Sequence, residues 1–345
     1  MKKYLALLTL LSIGLWTMTA CKNSSEPEIH VLIWSDYIKP DLIEKFREQY
    51  KCRVIVDTYD SNESMYAKLK LGAGGYDLIF PSNYFMDIMS QQGMLQKIDT
   101  SLVPNIKNLD PEYVKRVDPA LLQWGIPYMV SSAGIAYRTD KVETFEPSWG
   151  IFGSSEYKGR MTMLNDVRET VGAALNYLGY SANTTNPEEL EEATQVLISW
   201  KKNLAKFDSE QYKPGIASAE YLVIMGYNGD TLQVIKEHPD VTFVYPKEGV
   251  TIVMDFIILP NDAPNKEMAY KFMNFLLDAD VAAENMEFTF FFSPNKAAYA
   301  KLPKALRDNK ILFLPPAVLE KAELIRYLGE EGIMYNKAWD KIKAS

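Results

Sequence analysis

Four short segments place acidic, hydroxyl and aromatic side chains at or near the ends of apolar runs that resemble strands. They are Trp34-Ser35-Asp36-Tyr37, Ser82-Asn83-Tyr84, Asp166 with Glu169, and Asp255 inside an apolar run. In open α/β sheets, ligand-binding groups gather at the carboxyl ends of strands and in the loops beyond them. These segments are therefore candidates for one binding site.

The residue types favour a ligand with positive ends and an apolar middle. Aromatic rings attract a cation by about 0.5–2 kcal/mol per contact, but removing a charged amine from water costs several kcal/mol. Rings alone cannot compensate for that cost, so a carboxylate must oppose each ammonium, while methylene groups need flat apolar walls. Aromatic residues combined with spaced acids therefore suit a diamine.

The acids also have structural interpretations. Asp166 and Glu169 lie three residues apart at a predicted helix start, where they could bind one end of a ligand or simply favour the helix dipole. Asp255 interrupts the apolar run 251–259, where an unpaired carboxylate is costly, so it is either a ligand group or a satisfied structural acid. Trp34 and Tyr84 could equally be core aromatics.

The elements that must position these residues alternate along the chain. Apolar runs at 31–34, 54–56 and 78–80 are separated by helical patterns, which indicates an α/β fold. We predict helices that begin at Pro40, after Ser61 as N-cap and after Asn186 as N-cap. At 345 residues, the chain has room for about two domains.

Composition and missing motifs argue against several function classes. A net charge of −8 argues against a nucleic-acid partner, which normally meets a basic face. The run 72–75 is glycine-rich, but Asp77 stands where a dinucleotide fingerprint needs its last glycine, and no Walker, G-x-S-x-G or H-E-x-x-H motif occurs. Only two histidines are present, which argues against zinc, and we expect no cofactor.

The first residues are typical of a lipoprotein. Residues 1–20 have a basic start and a short apolar stretch, which predicts a signal peptide, and small residues precede Cys21 as in a bacterial lipobox. We expect lipidation of Cys21, a tether over 21–26 and a membrane-anchored extracytoplasmic protein. Ordinary secretion with an incidental Cys21 is the alternative. Cys52 is the only other cysteine, so no intramolecular disulfide is possible once Cys21 is lipidated.

Several stretches resemble the periplasmic spermidine/putrescine-binding proteins of polyamine ABC transporters. They include "VLIWSDYI", "GGYDLIFPSNYF", "LNDVRETVGAALNYLGY" and "MDFIILPNDAPNKE", and the likeness covers nearly the whole mature chain. It implies a two-lobed α/β fold of the type II periplasmic-binding-protein class, each lobe a mixed, mainly parallel sheet flanked by helices, with the ligand cleft between the lobes. The implied lobes are 27–132 plus 256–299 and 133–255 plus 300–345.

The resemblance also implies ligand positions. These are Trp34, Ser35, Asp36, Tyr37, Ser82, Tyr84, Asp166, Glu169, Ser209, Tyr227, Asp255 and Phe291. Asp255 would bind one amine, Asp166 and Glu169 the opposite amine, and the aromatic residues the methylene chain.

The chain departs from the family pattern at some of these positions. Val253, Tyr227 and Phe291 stand where relatives carry tryptophan, tryptophan and tyrosine, and Leu328 lies nearest to a missing glutamine. The site is therefore less aromatic than in those relatives, and the choice between putrescine and spermidine stays open.

We expect a monomeric receptor that captures a polyamine by lobe closure and delivers it to an ABC permease, without covalent chemistry. Two alternatives remain. One is a receptor for another solute, such as a thiamine-like cation, a sugar or ferric ion. The other is a hydrolase that uses Asp166 and Glu169 as an acid pair.

Overall fold

The computed structural model describes residues 26–345; the predicted signal peptide, Cys21 and nearly all of the tether lie outside this range. The strands are β1 Glu28–Trp34, β2 Arg53–Tyr59, β3 Leu78–Ile79, β4 Gly125–Arg138, β5 Met161–Met163, β6 Leu204–Phe207, β7 Val223–Tyr227, β8 Val241–Val244, β9 Thr251–Ile258 and β10 Glu323–Leu324. The helices are α1 Pro40–Tyr50, α2 Asn62–Lys70, α3 Asn83–Gln91, α4 Pro111–Val114, α5 Val167–Leu178, α6 Pro187–Lys201, α7 Tyr212–Ala217, α8 Asn228–Glu237, α9 Lys266–Leu276, α10 Ala279–Thr289, α11 Lys296–Tyr299, α12 Lys304–Arg307, α13 Pro316–Lys321 and α14 Ile333–Ala344. Short 3₁₀ turns occur at Thr100–Leu102, Pro104–Asn108, Trp149–Gly153 and Gly329–Gly332.

The strands form two half-sheets that are joined through the long strand β4. The order is β2-β1-β3-β9-β4-β7-β5-β6, with β8 beside β4 and β10 beside β9. Residues 125–132 of β4 pair with β9, whereas residues 133–138 pair with β7 and β8. We call β1, β2, β3 and the adjoining ends of β9 and β4 the first half-sheet, and β5 to β8 with the far end of β4 the second half-sheet. The fold is therefore α/β and two-lobed.

Aromatic packing fixes the helices on each half-sheet. Against the first, the ring of Phe46 in α1 lies 4.8 Å from that of Phe272 and 5.4 Å from that of Phe275, both in α9. Near the second half-sheet, the ring centroid of Trp339 in α14 lies 4.8 Å from that of Phe207 in β6. Such pairs contribute beyond their buried area, so each half has its own anchoring contacts. Within residues 26–345, no helix combines the length and apolar character needed to cross a bilayer.

The predicted helix starts are confirmed. Helix α1 begins at Pro40, and Ser61 caps α2 by accepting a hydrogen bond from the Ser64 amide at 3.2 Å. Asn186 caps α6 by accepting from the Glu188 amide at 2.9 Å. These caps satisfy amides that the first helical turn leaves without partners, which is why the sequence reveals them.

The strand predictions need two corrections. The apolar run 78–80 forms a strand only at Leu78–Ile79, although the amides of Asp77 and Phe80 still bond to backbone carbonyls of β1. The 14-residue β4 was not predicted, because Pro127 and paired serines interrupt its apolar pattern although the strand is buried.

Candidate ligand-binding site

Asp255 is a buried acid of the candidate site, and each of its two oxygens accepts a hydrogen bond from a neutral donor. It lies in β9 with 4% of its surface exposed. Its Oδ2 accepts from the Tyr37 hydroxyl at 2.6 Å, and its Oδ1 accepts from the Ser82 hydroxyl at 2.8 Å. No lysine or arginine in the described part of the chain forms an ion pair with it. The carboxylate is therefore oriented without being neutralised.

Burial sets the protonation of this acid. It raises the pKa of Asp255 to about 6, while the hydrogen bonds from Tyr37 and Ser82 act in the opposite direction. Ionised Asp255 therefore predominates at neutral pH. A buried negative charge with no cation beside it is unfavourable, and a bound ammonium would relieve that cost.

Asn62 fixes the direction of the hydroxyl groups around Asp255. This buried side chain donates from Nδ2 to the Ser82 hydroxyl at 3.0 Å and to the Tyr84 hydroxyl at 3.2 Å. Its Oδ1 accepts from the Ser82 amide at 3.1 Å. Because Ser82 and Tyr84 both accept from Asn62, each hydroxyl keeps its own proton free for another acceptor. For Ser82, that acceptor is Asp255.

A second group of contacts positions Tyr37. The Tyr128 hydroxyl donates to the Tyr37 carbonyl at 3.0 Å, and Asn285 Nδ2 donates to the Tyr128 hydroxyl at 2.8 Å. The Tyr37 ring makes edge contacts with Phe291 and Tyr128, at centroid distances of 5.1 and 5.9 Å. These contacts fix both the backbone and the ring of Tyr37, and so they position its hydroxyl on Asp255.

Asp166 and Glu169 turn out to have different roles at the start of α5. Asp166 is the N-cap and accepts from the amides of Arg168 and Glu169, at 2.9 and 3.0 Å. Glu169 is 1% exposed; its Oε2 accepts from the Thr251 hydroxyl, and its Oε1 has no hydrogen-bond partner among residues 26–345. Capping accounts for Asp166, but a helix dipole does not explain a buried carboxylate with an unused oxygen.

Arg168 lies between these acids in sequence, but its guanidinium donates to neither carboxylate. Its guanidinium donates to the Arg326 carbonyl at 2.7 Å and to Asn183 Oδ1 at 2.9 Å, and it lies 4.6 Å from the centroid of the Tyr335 ring. Burial, and then the charge of Asp166, raise the pKa of Glu169 to about 8. Glu169 is therefore mainly protonated at neutral pH until a cation approaches it.

The predicted aromatic site residues come from both half-sheets, with Trp34 in β1 and Tyr227 in β7. The Trp34 ring lies 4.5 Å from that of Tyr59, and its buried Nε1 has no partner in the described structure. Burial raises the pKa of Asp166, and the Tyr227 hydroxyl acts to lower it, so Tyr227 lies next to this acid. Phe291 packs onto Gly229, where an added Cβ would lie 2.6 Å from the ring. A larger residue than glycine would therefore displace Phe291.

Three predicted site residues lie at the edge of this group. Ser35 is exposed, and Asp36 adopts a left-handed backbone conformation, with φ of 55°, and has a largely exposed carboxylate. The Ser209 hydroxyl accepts from the Asn165 amide at 3.0 Å, directly beside Asp166. A cavity of about 410 Å³ borders the site and is lined by Tyr84 and Tyr327, not by Leu328.

Sequence reasoning missed several supporting residues. Asn62, Tyr128 and Asn285 carry no sequence signal, because their partners are remote in the chain. Thr251 did carry a sequence signal. It lies four residues before Asp255 in a strand, so the two side chains share a face of β9. Val253 lies between them on that face.

Comparison with known proteins gives a consistent result. Residues 41–313 match the family described as bacterial extracellular solute-binding protein. A spermidine/putrescine-binding periplasmic protein of Salmonella typhimurium is 35% identical over 329 residues, covering 95% of this chain and 94% of the relative. The putrescine-binding periplasmic protein PotF of Escherichia coli is 32% identical over 357 residues, covering 97% of this chain and 95% of PotF.

Solved structures agree with this family. The Tp0655 (TpPotD) lipoprotein of Treponema pallidum is 33% identical, with a TM-score of 0.83 over 91% of this chain and 99% of that one. The family consists of binding proteins, which supports the prediction of a receptor and not of an acid-pair hydrolase. The chain belongs to the bacterial extracellular solute-binding proteins.

Proposed function

We propose that this protein is an extracytoplasmic polyamine receptor that delivers putrescine or spermidine to an ABC permease. The observation that carries the proposal is the pair of buried acids, Asp255 and Glu169, that have no ion-pair partner in residues 26–345. Each would bind one ammonium, and the aromatic residues between them would pack on the methylene chain. The names of the relatives support the same ligand class.

Closure of two lobes would complete the site. We assign 27–132 plus 256–299 to one lobe and 133–255 plus 300–345 to the other, with the crossover strands β4 and β9 as the hinge. Two hydrogen bonds connect the assigned lobes in this structure. Asn83 Nδ2 donates to the Ile325 carbonyl at 2.6 Å, and Gln233 Nε2 donates to the Thr289 carbonyl at 2.9 Å. A ligand stabilises the closed form only through contacts that are better made there. Asp255 and Glu169 of one lobe, together with residues of the other lobe such as Tyr37 and Ser82, would provide them.

The receptor would function as a monomer at a membrane surface. We infer that residues 1–20 are removed, that Cys21 is lipidated and that residues 21–26 form the tether. A lipid chain together with a short polar segment would keep the binding domain near its permease. Mass spectrometry of the membrane fraction tests this, since a Cys21→Ser variant should lose the lipid mass and appear in the soluble fraction.

Titration calorimetry of the purified domain tests the ligand class. We expect binding heat with putrescine or spermidine, and none with glucose, thiamine or ferric citrate. The two acids explain this selectivity, because a neutral sugar does not compensate buried carboxylates and ferric ion prefers clustered tyrosines with an anion. Binding to one of the latter solutes, without polyamine binding, would overturn the assignment.

A further inference from the structure

Lys213 places a cation of the protein itself at the edge of the candidate site. Its Nζ lies 3.1 Å from Asp230 Oδ1, 3.3 Å from Gln233 Oε1 and 3.9 Å from Asp36 Oδ2. Asp36 follows β1, whereas Lys213 belongs to α7 beside the second half-sheet. The lysine therefore reaches across the proposed cleft to an acid predicted to contact the ligand.

The position of this ammonium is fixed by α8. Asp230 and Gln233 lie on that helix, which begins directly after Tyr227. Asp230 also accepts from the hydroxyl of Tyr212, a residue with no exposed surface. Lys213 itself is only 27% exposed. A lysine bound by two groups on one helix has little freedom to move away from Asp36.

The acids of the site thus differ in whether a cation already opposes them. Asp255 and the group formed by Asp166 and Glu169 have no ion pair with any lysine or arginine in the described residues. Asp36 does form an ion pair, with Lys213. Two acidic centres are available to ligand ammonium groups, and the third is already opposed by the protein.

We propose that Lys213 serves as a built-in ammonium at Asp36 and makes the receptor select polyamines with two ammonium groups over those with three. A third ammonium directed at Asp36 would approach the positive charge of Lys213 at short range. Like charges at short range repel, and such repulsion discriminates between ligands that otherwise make the same contacts. This inference depends on the proposed polyamine function and adds a selectivity residue to it.

The test measures putrescine and spermidine affinities by calorimetry for the wild type and for Lys213→Met. The wild type should bind putrescine more tightly. In the variant, the ratio of spermidine affinity to putrescine affinity should rise at least tenfold, because the third ammonium can replace the lost one between Asp36 and Asp230. Lys213→Arg retains the positive charge and should keep the wild-type ratio.

Lys206→Met is the matched control. Lys206 Nζ lies 2.9 Å from Asp208 Oδ2 in an ion pair that does not involve a predicted ligand residue, so its removal should leave the ratio unchanged. Thermal unfolding will show that each variant is folded, and Lys213→Gln replaces the methionine variant if that one is not. Polyamine binding with an equal ratio in wild type and Lys213→Met overturns this inference alone. A wild type that binds neither ligand overturns the proposed function as well.

Discussion

The two buried acids of the candidate site, Asp255 and Glu169, differ in how their carboxyl oxygens are hydrogen-bonded. Asp255 has a neutral donor on each oxygen, from Tyr37 and Ser82. Glu169 has one donor, Thr251, and a second oxygen with no partner in the described structure. Burial raises both pKa values, to about 6 for Asp255, where two hydrogen bonds oppose it, and to about 8 for Glu169, where the charge of Asp166 adds to it.

This difference predicts different roles for the two acids in ligand binding. Asp255 is mainly ionised and oriented at neutral pH, so it can attract the first ammonium without rearrangement. Glu169 is mainly protonated at that pH and would ionise as an ammonium arrives, since a nearby positive charge lowers the pKa of a carboxyl group. The first centre would dominate affinity, and the second would couple binding to pH.

Asp255→Asn should have the largest effect. The amide keeps the shape but removes the charge, and we expect polyamine affinity to fall at least about tenfold, or about 1.4 kcal/mol. Calorimetry at pH 7.5 measures the loss. Asp57→Asn, at an exposed acid that accepts from Tyr76, is the control and should bind normally. Unchanged affinity in Asp255→Asn would remove this residue from the site.

Glu169→Gln should weaken binding less but stabilise the unliganded protein. We expect roughly a three- to tenfold loss of affinity at pH 8, from one charged hydrogen bond. Because the folded pKa of about 8 exceeds the ordinary value of 4.5, ionisation costs stability increasingly as pH rises from 4.5 to 8. The variant should therefore melt at a higher temperature than wild type at pH 8, and the gain should vanish near pH 4. A lower melting temperature at pH 8 would show that the charge is compensated.

Polyamine binding should release protons between about pH 6 and 8. Glu169 and Asp255 both have raised pKa values, and an ammonium favours their ionised forms, so affinity should increase with pH across this window. Calorimetry in buffers with different ionisation enthalpies measures the released protons. Release at pH 7.5 should disappear in Glu169→Gln, and equal heats in all buffers for the wild type would contradict the assigned pKa of Glu169.

Removing one hydroxyl from each centre should have the smallest effects. Tyr37→Phe leaves Asp255 with Ser82, whereas Thr251→Val leaves Glu169 with no donor. Each change raises the pKa of its carboxyl group, and we expect roughly two- to fivefold weaker binding. Both losses should grow as pH falls, the Thr251→Val loss from about pH 8 downward and the Tyr37→Phe loss from about pH 6 downward. Losses that grow as pH rises would contradict ionisation of these groups on binding.

Local chemistry made much of the candidate site predictable. The acid in an apolar strand, the aromatic and acidic residues after β1, and the carboxylates at a helix start all stood out by their types and spacing. Helix caps at Ser61 and Asn186 were equally visible, because a cap and its amide lie within three residues of each other. Burial of β4 was not visible, since serines and proline within an apolar run hide a strand that tertiary packing covers on both faces.

The amino-acid sequence by itself determined which groups carry charge, hydroxyl protons and aromatic surface, and which elements present them. Tertiary structure alone decided that Tyr37 and Ser82, 218 and 173 residues away in sequence, both donate to Asp255. It also decided that the Arg168 guanidinium donates to acceptors other than its neighbouring acids and that Lys213 approaches Asp36. The reason is physical: propensity and periodicity act over a few residues, whereas the partner of a buried charge depends on which strands cross beside it.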